Sequence, residues 1–525
     1  MLSELTQLRG ACRVGADALV AVSSDETLED GSPDTEALLS TLASLASAEV
    51  PVPIALRSWA EVFVDSNSYT PEQKLAIGVA LDSTIHTRMA VGDASWRSLP
   101  MLSSALASSS AALDGRAGVM LVKHRNGLLE ITLSRGSQLN ALGATMLGDI
   151  LDAATGAAAD PSVRALLLRS DDARAFSAGG DVRALTEELS WEARAAILHL
   201  EYAAIAAVGR LALRMPVVAI SDGVTMGAGM GLFMAANRRL VSGRARLGMP
   251  ECVIGLCPDA GVTHHLTALP PGFVGMFCAL TGSALGAADA LYAGLGTAHC
   301  PEAAVDVLEQ RLREQDVVGL DALLAAHCEP MQEHSTLSGL QARIDAIFGQ
   351  PNLEQTMLAL NYATEEVRAR LPKGQPEISD ARLHASYEWL LRCKEKLDAG
   401  APAAVHVAHF AMSRSFQKRV SAFTAFQMEL AANQQLLARK DFNEGVSCVI
   451  GERKGEKPAW EHIDLDAAKS DSKVKSVIAL VEVALDYDAQ AVRPQARDAA
   501  KAAAGDVAVG ASRGQAQNRE TDDDE

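Results

Sequence analysis

G-V-T-M-G-A-G-M-G-L-F-M, Gly223 to Met234, and G-M-P-E-C-V-I-G-L-C-P-D-A-G, Gly248 to Gly261, are the stretches on which the reading of this chain turns. The first is a glycine-dense turn entering an apolar segment. Backbone amides at such a turn, beside a helix start, can hold a developing anion. The second sets two carboxylates, Glu251 and Asp259, in otherwise apolar surroundings. There a carboxyl group can have a shifted pKa and work as acid, base or nucleophile. Each feature also has a plainer reading. The glycines fit a tight strand-to-helix connection, Glu251 a helix-start carboxylate after the rigid Met249-Pro250 dipeptide, and Asp259 a turn aspartate. Together they suggest one site that handles an acyl group.

Outward from that stretch, the upstream chain alternates strand and helix signals. Val119–His124 and Leu128–Leu133 flank Arg125-Asn126-Gly127, and Asn-Gly between two apolar runs marks a hairpin. Gln138 to Ala154 reads as an amphipathic helix, Val163–Arg169 and Pro216–Ile220 as buried strands, Gly229–Ala236 as a helix and Arg239–Val241 as a strand. A second glycine turn, A-F-S-A-G-G-D (Ala175–Asp181), follows a buried strand, so the amides near Gly180 and Ala228 are two candidate sets of oxyanion donors. Glu201-Tyr202 lies in the apolar helix Ala195–Leu213. Strand–helix alternation with glycine turns after the strands predicts an α/β layered unit with its sites at strand ends. Downstream the strand signal fades, and helices are expected over Ala287–Ala293, Ala303–Arg313, Leu340–Ile347, Leu353–Ala369, Ala381–Leu397, Ala401–Phe410 and Ser421–Arg439. Four units follow: a mostly helical N-terminal extension over 1–115, an α/β core over 116–270, a helical part over 271–480, and a disordered acidic tail over 481–525 that ends E-T-D-D-D-E.

Composition narrows the function classes. A net charge of −19 argues against broad nucleic-acid binding, DNA included. An anionic ligand would need local cations or amides. The 8 cysteines form no C-x-x-C pair, and neither they nor the 12 histidines show zinc-site spacing, so no metal site is expected and buried thiols in a reducing compartment are. No apolar run reaches the roughly 18–20 residues of a membrane span. The N-terminal M-L-S-E-L-T-Q-L-R-G-A-C-R-V-G-A fits either a short amphipathic mitochondrial presequence or an ordinary helix.

Ala175–Asp181, Gly223–Leu232 and Met249–Gly261 together resemble the crotonase (enoyl-CoA hydratase/isomerase) superfamily, and within it the 3-hydroxyisobutyryl-CoA hydrolase branch. Gly231 stands where hydratases carry a second glutamate, and Pro258-Asp259 where they have glycine. Asp441–Val446 (D-F-N-E-G-V) and Lys457–Trp460 (K-P-A-W) resemble the end region of that branch. The resemblance, from about Val119 to Asp466, implies a crotonase-like spiral of βαβ units with a C-terminal helical region, to which an N-terminal helical segment has been added. It implies an acyl-CoA substrate, CoA being part of that substrate and no cofactor. By position, Gly180 and Ala228 would supply the two oxyanion amides. Glu251 would attack the thioester carbonyl or activate the water that does. Asp259 would orient the acyl hydroxyl, and Glu201 would contact substrate. The chain departs from the family pattern at Ala228, at Cys257, at Leu133-Ser134-Arg135-Gly136, and at Val262-Thr263-His264-His265, substitutions expected around the pocket. Two roles follow: a mitochondrial hydrolase of the valine-degradation type, or a structural subunit of the mitochondrial ribosome's small subunit. Oligomeric state is not encoded in any motif.

Overall fold

The structure, a computed structural model, describes residues 118–186, 191–270, 272–371, 381–482 and 484–485. The expected N-terminal extension and nearly all of the expected tail lie outside the described residues. Helical backbone is described as far as residue 485, past the expected start of the tail at 481.

The chain enters through the predicted hairpin. β1 (Val119–Lys123) pairs antiparallel with β2 (Leu128–Leu133), with Lys123 opposite Leu129. Gly127 takes φ +89°, a left-handed value that L side chains rarely adopt. From there every further pairing between these strands is parallel, and successive strands alternate between two sheets. β3 (Ala165–Ser170), β5 (Val217–Ser221) and β7 (Arg238–Val241) enter one sheet, while β4 (Ala175–Ser177), β6 (Val224–Met226) and β8 (Arg246–Gly248) build the other. With β9 (Ala298–His299), the sheets run β1-β2-β3-β5-β7-β9 and β4-β6-β8. Each coil of this spiral therefore gives one strand to each sheet. β6 and β8 were not foreseen: at three residues each, inside a glycine turn and a basic run, they are too short to show an alternation.

Residue parity within the strands explains the layering. Leu166, Leu168, Val217 and Ala219 face the main core, while Ala165, Leu167, Val218 and Ile220 face a smaller cluster on the opposite side of the sheet. A parallel sheet buried on both faces needs such unbroken apolar runs. The main core is closed by α1 (Ala144–Ala159), α2 (Val182–Thr186), α3 (Trp191–Ala212) and α4 (Ala228–Met234), and then by α5 (Val262–Thr267), α6 (Val274–Thr281) and α7 (Ala287–Tyr292). α8 (Glu302–Glu314) and α9 (Leu320–His327) cover the second face with Val305, Leu308, Leu312, Leu320 and Leu324. The remaining helices, α10 (Thr336–Phe348), α11 (Leu353–Arg370), α12 (Ala381–Ala399), α13 (Pro402–Lys418), α14 (Ala422–Leu437), α15 (Lys440–Val449) and α16 (Leu465–Ser470), pack onto the main core.

The helix expected over 138–154 starts instead at Ala144. Leu139 and Asn140 adopt φ +51° and +55°, which breaks any helix there. The Asn140 amide spends its donors on Ser170 Oγ (2.7 Å) and on the carbonyls of Ala175 and Phe176, tying this bend to β3 and β4. One helix among the described residues, Ala193–Ala212 within α3, is long and apolar enough to cross a membrane by length and composition alone. Its 78% burial inside the fold marks it as a core helix.

Candidate functional site

The two glycine turns, 47 residues apart between Gly180 and Gly227, meet in space. A Cβ built on Gly179 would lie 3.6 Å from the α-carbon of Gly227, and one built on Gly227 would lie 3.5 Å from that of Gly179. Both adopt positive φ, +110° and +53°, so glycine is required on backbone grounds as well as spatial ones. The parallel pairing of β4 with β6 makes the turns converge, because each turn leaves the same end of its strand. Sequence suggested two sets of amides without showing that they meet; the small sheet brings them together. Neither the Gly180 nor the Ala228 N–H donates to a partner among the described residues.

A carboxyl group rests against each turn. Glu201 Oε2, on α3, lies 2.8 Å from the position a Cβ would take on Gly180, and Glu251 Oε1 lies 2.9 Å from that position on Gly227. Glu251 opens the short 3-10 helix Glu251–Ile254 after β8. Its Oε2 is buried with no hydrogen-bond partner, a state that normally costs about 1–3 kcal/mol. Burial, and next the charge of Asp259, push Glu251 well above the usual carboxylate range. Burial, then Asp259 and Glu429, do the same to Glu201. Asp259 differs. Burial raises it only to about 6, because the Tyr202 hydroxyl and the Asn433 amide both donate to its Oδ2, at 2.7 and 2.8 Å. Burial and mutual repulsion favour the neutral form of Glu251 and Glu201, while its two donors favour the charged form of Asp259.

All five residues singled out in the sequence, Gly180, Glu201, Ala228, Glu251 and Asp259, line one cavity of about 440 Å³. Arg183 and Lys454 line it too and supply positive charge. Arg183 also donates to the Ile450 carbonyl, joining α2 to the end of α15.

Sequence reasoning missed the contribution of α14. Glu429 and Asn433 lie one helical turn apart and are fully buried. Asn433 accepts from the Cys257 N–H (2.9 Å), donates to the Cys257 carbonyl (3.0 Å) and holds Asp259. Glu429 accepts from the Gly261 N–H (2.6 Å), the Thr263 N–H (2.9 Å) and the Thr263 hydroxyl (2.6 Å). Burial still pushes Glu429 up to about 8 against these donors. The signal was present as an acidic and an amide side chain at i and i+4 in the apolar helix read over Ser421–Arg439. These contacts correct one expectation. Cys257, Val262 and Thr263 are not lining residues of the cavity; Cys257 and Thr263 bond to α14, so these departures from the family pattern reshape the support behind the site. Ala228 does line the cavity.

Comparison with known proteins places this geometry. Residues 128–478 match the profile of the family described as Enoyl-CoA hydratase/isomerase. The mitochondrial 3-hydroxyisobutyryl-CoA hydrolase of Gallus gallus is 28% identical over 368 residues, which is 67% of this chain and 86% of that protein. The small ribosomal subunit protein mS47 of Neurospora crassa is 26% identical over 356 residues, 65% of this chain and 67% of its own length. Among solved structures, a carnitinyl-CoA dehydratase from Mycobacterium thermoresistibile matches with a TM-score of 0.59 at 26% identity, covering 69% of this chain and 96% of that one.

Proposed function

The chain belongs to the enoyl-CoA hydratase/isomerase family, and we propose that it is an acyl-CoA thioester hydrolase acting on 3-hydroxyisobutyryl-CoA in the mitochondrion. The observation that carries this reading is the unpaired Glu251 Oε2 beside two convergent turns whose Gly180 and Ala228 amides have no partner. A thioester oxygen seated between those amides gains negative charge on attack, and fixed donors meet it without reorganising; one such donor is typically worth about 3 kcal/mol of barrier.

Glu251, once its proton has left, either adds to the carbonyl carbon or takes the proton from a water that adds. In the first case the Glu251 oxygen forms an acyl bond, the carbon–sulfur bond breaks, and the departing thiolate takes up the proton that Glu251 had carried. Water then cleaves the mixed anhydride and restores the carboxyl group. In the second case, water delivers its hydroxyl to the carbonyl carbon and its proton reaches the thiolate through Glu251. Asp259, ionised and anchored by Tyr202 and Asn433, accepts the acyl hydroxyl. Arg183 and Lys454 face the phosphates of CoA. The scheme draws on side chains and amides alone.

Gly231 supports hydrolysis over hydration. A Cβ there would lie 2.5 Å from the Ala260 carbonyl oxygen and 2.6 Å from the Ala260 Cβ, so this backbone has no room for a hydratase's second glutamate. The name of the Gallus gallus relative supports both the substrate and the compartment. The reading is tested by thiol release from 3-hydroxyisobutyryl-CoA and from isobutyryl-CoA, which lacks the hydroxyl. Hydrolysis at least tenfold faster with the hydroxylated substrate is expected. Equal rates would reject the Asp259 role, and no release from either would reject the hydrolase.

The similarity to mS47 of Neurospora crassa favours a second reading, a structural subunit of the mitochondrial ribosome's small subunit. Sedimentation of the native protein separates the two. Recovery only as a small soluble species contradicts the ribosomal role, and recovery with a large particle supports it.

A further inference from the structure

A pair of thiols lies on the far side of the six-stranded sheet, in the smaller apolar cluster and away from the carboxylates. β9 is the last strand of that sheet, and beyond it the chain segment after α9 adds one antiparallel bridge, His299 to Glu329. The Glu329 N–H donates to the His299 carbonyl at 3.1 Å, so these two form a hydrogen-bonded pair. The same register sets Cys300 opposite Cys328. The Cys300 N–H points the other way, to Val241, as expected for the next residue along the strand. Cys328, just past α9, has extended backbone at φ −100°, ψ 143°. Cross-strand neighbours that are not hydrogen-bonded have α-carbons about 4.5 Å apart, within the range a disulfide bridges. Both cysteines are free.

We propose that Cys300 and Cys328 form a peroxide-responsive dithiol, oxidised to a disulfide that clasps the end of α9 to the sheet edge. The two cysteines differ in the way such a reaction needs. Cys328 is partly exposed, and the Cys300 thiol beside it lowers its pKa. Its access to solvent makes it the thiol that meets peroxide first. Cys300 is fully buried, its own pKa raised by the Cys328 thiol and then by burial. The balanced sequence uses hydrogen peroxide as oxidant. The Cys328 thiolate attacks one peroxide oxygen, the O–O bond breaks, hydroxide leaves and takes a proton to become water, and Cys328 becomes a sulfenic acid. The Cys300 sulfur then attacks the Cys328 sulfur, the S–O bond breaks and a second water leaves. Two thiols lose two electrons and two protons, and one peroxide becomes two waters. The other described cysteines have no such partner opposite them in a β register, and all of them are buried.

The test exposes the full-length protein to hydrogen peroxide under native conditions, alkylates the remaining thiols and maps peptides by mass spectrometry. A peptide linked through Cys300 and Cys328, two hydrogen masses lighter than the reduced pair and reversed by dithiothreitol, is expected. Thioester hydrolysis should be unchanged by this oxidation. Cys300→Ser should let Cys328 progress to sulfinic acid, with no link formed. Cys328→Ser should leave Cys300 reduced over the same exposure. Formation of sulfinic acid at Cys328 in the unsubstituted protein, a link between other cysteines, or oxidation of Cys300 in the Cys328→Ser protein would each overturn the proposal. So would full alkylation of both thiols after exposure.

Discussion

Glu251 and Glu429 are both buried glutamates charge-coupled to Asp259, yet their surroundings are opposite. Glu429, on the helical side, has donors on both oxygens. Glu251, on the α/β side, keeps one oxygen orphaned beside a cavity. Buried polar groups are normally paired, so a satisfied glutamate reads as support and an orphaned one as stored reactivity. On the proposed reading the α/β spiral supplies the reacting atoms, while α14 fixes the Asp259 loop from behind.

The strongest break in that comparison should come at Asp259, the residue both halves touch. Asp259→Asn should lower kcat for 3-hydroxyisobutyryl-CoA by about a hundredfold, while melting changes little because Tyr202 and Asn433 keep a partner. A melting collapse with unchanged kcat would make Asp259 structural. Asn433→Ala should be the most destabilising change on the support side. It strands the N–H and carbonyl of Cys257 and removes a donor from Asp259, costing about 2–4 kcal/mol in denaturant unfolding. Because that donor helps hold Asp259 at about 6, the acid limb of kcat/KM should move upward in this variant.

Glu429 makes the next sharpening a matter of pH. Its pKa is raised from the 4.5 of a free glutamate to about 8. The folded state therefore holds a proton that the unfolded chain releases, and stability should fall as pH rises from about 4.5 to about 8. Glu429→Gln should flatten that slope in thermal melts taken across the window, and an unaltered slope would contradict the assignment. The smallest effect should be at Ala228, which lines the cavity. Ala228→Gly should raise kcat/KM about two- to threefold, below what a whole lost interaction produces. A loss instead would mean the methyl helps to position the acyl group.

Much of this arrangement was legible in the chain. The Asn126-Gly127 hairpin, the buried strands β3 and β5, and most C-terminal helices follow from local pattern alone. The five candidate residues do share one cavity. What stayed hidden was long-range. The convergence of Gly179 with Gly227 depends on three-residue strands that show no periodicity. The bend at Leu139-Asn140 depends on an amide reaching β3 and β4 across 30 and 35 residues of sequence. Glu429 and Asn433 grip a loop more than 160 positions earlier in the sequence, and nothing local to α14 indicates which loop it grips. Local sequence records which side chains can pair; the fold decides which of them are left without a partner.

The orphaned oxygen of Glu251 is where that decision matters most. Its test is CoA thiol release from 3-hydroxyisobutyryl-CoA by the unsubstituted chain and by Glu251→Gln, which keeps size and burial but removes the ionisable group. Turnover by the former and a drop of about a thousandfold or more in the latter, with both proteins melting alike, is the expected result. Equal rates from the two proteins would contradict the account.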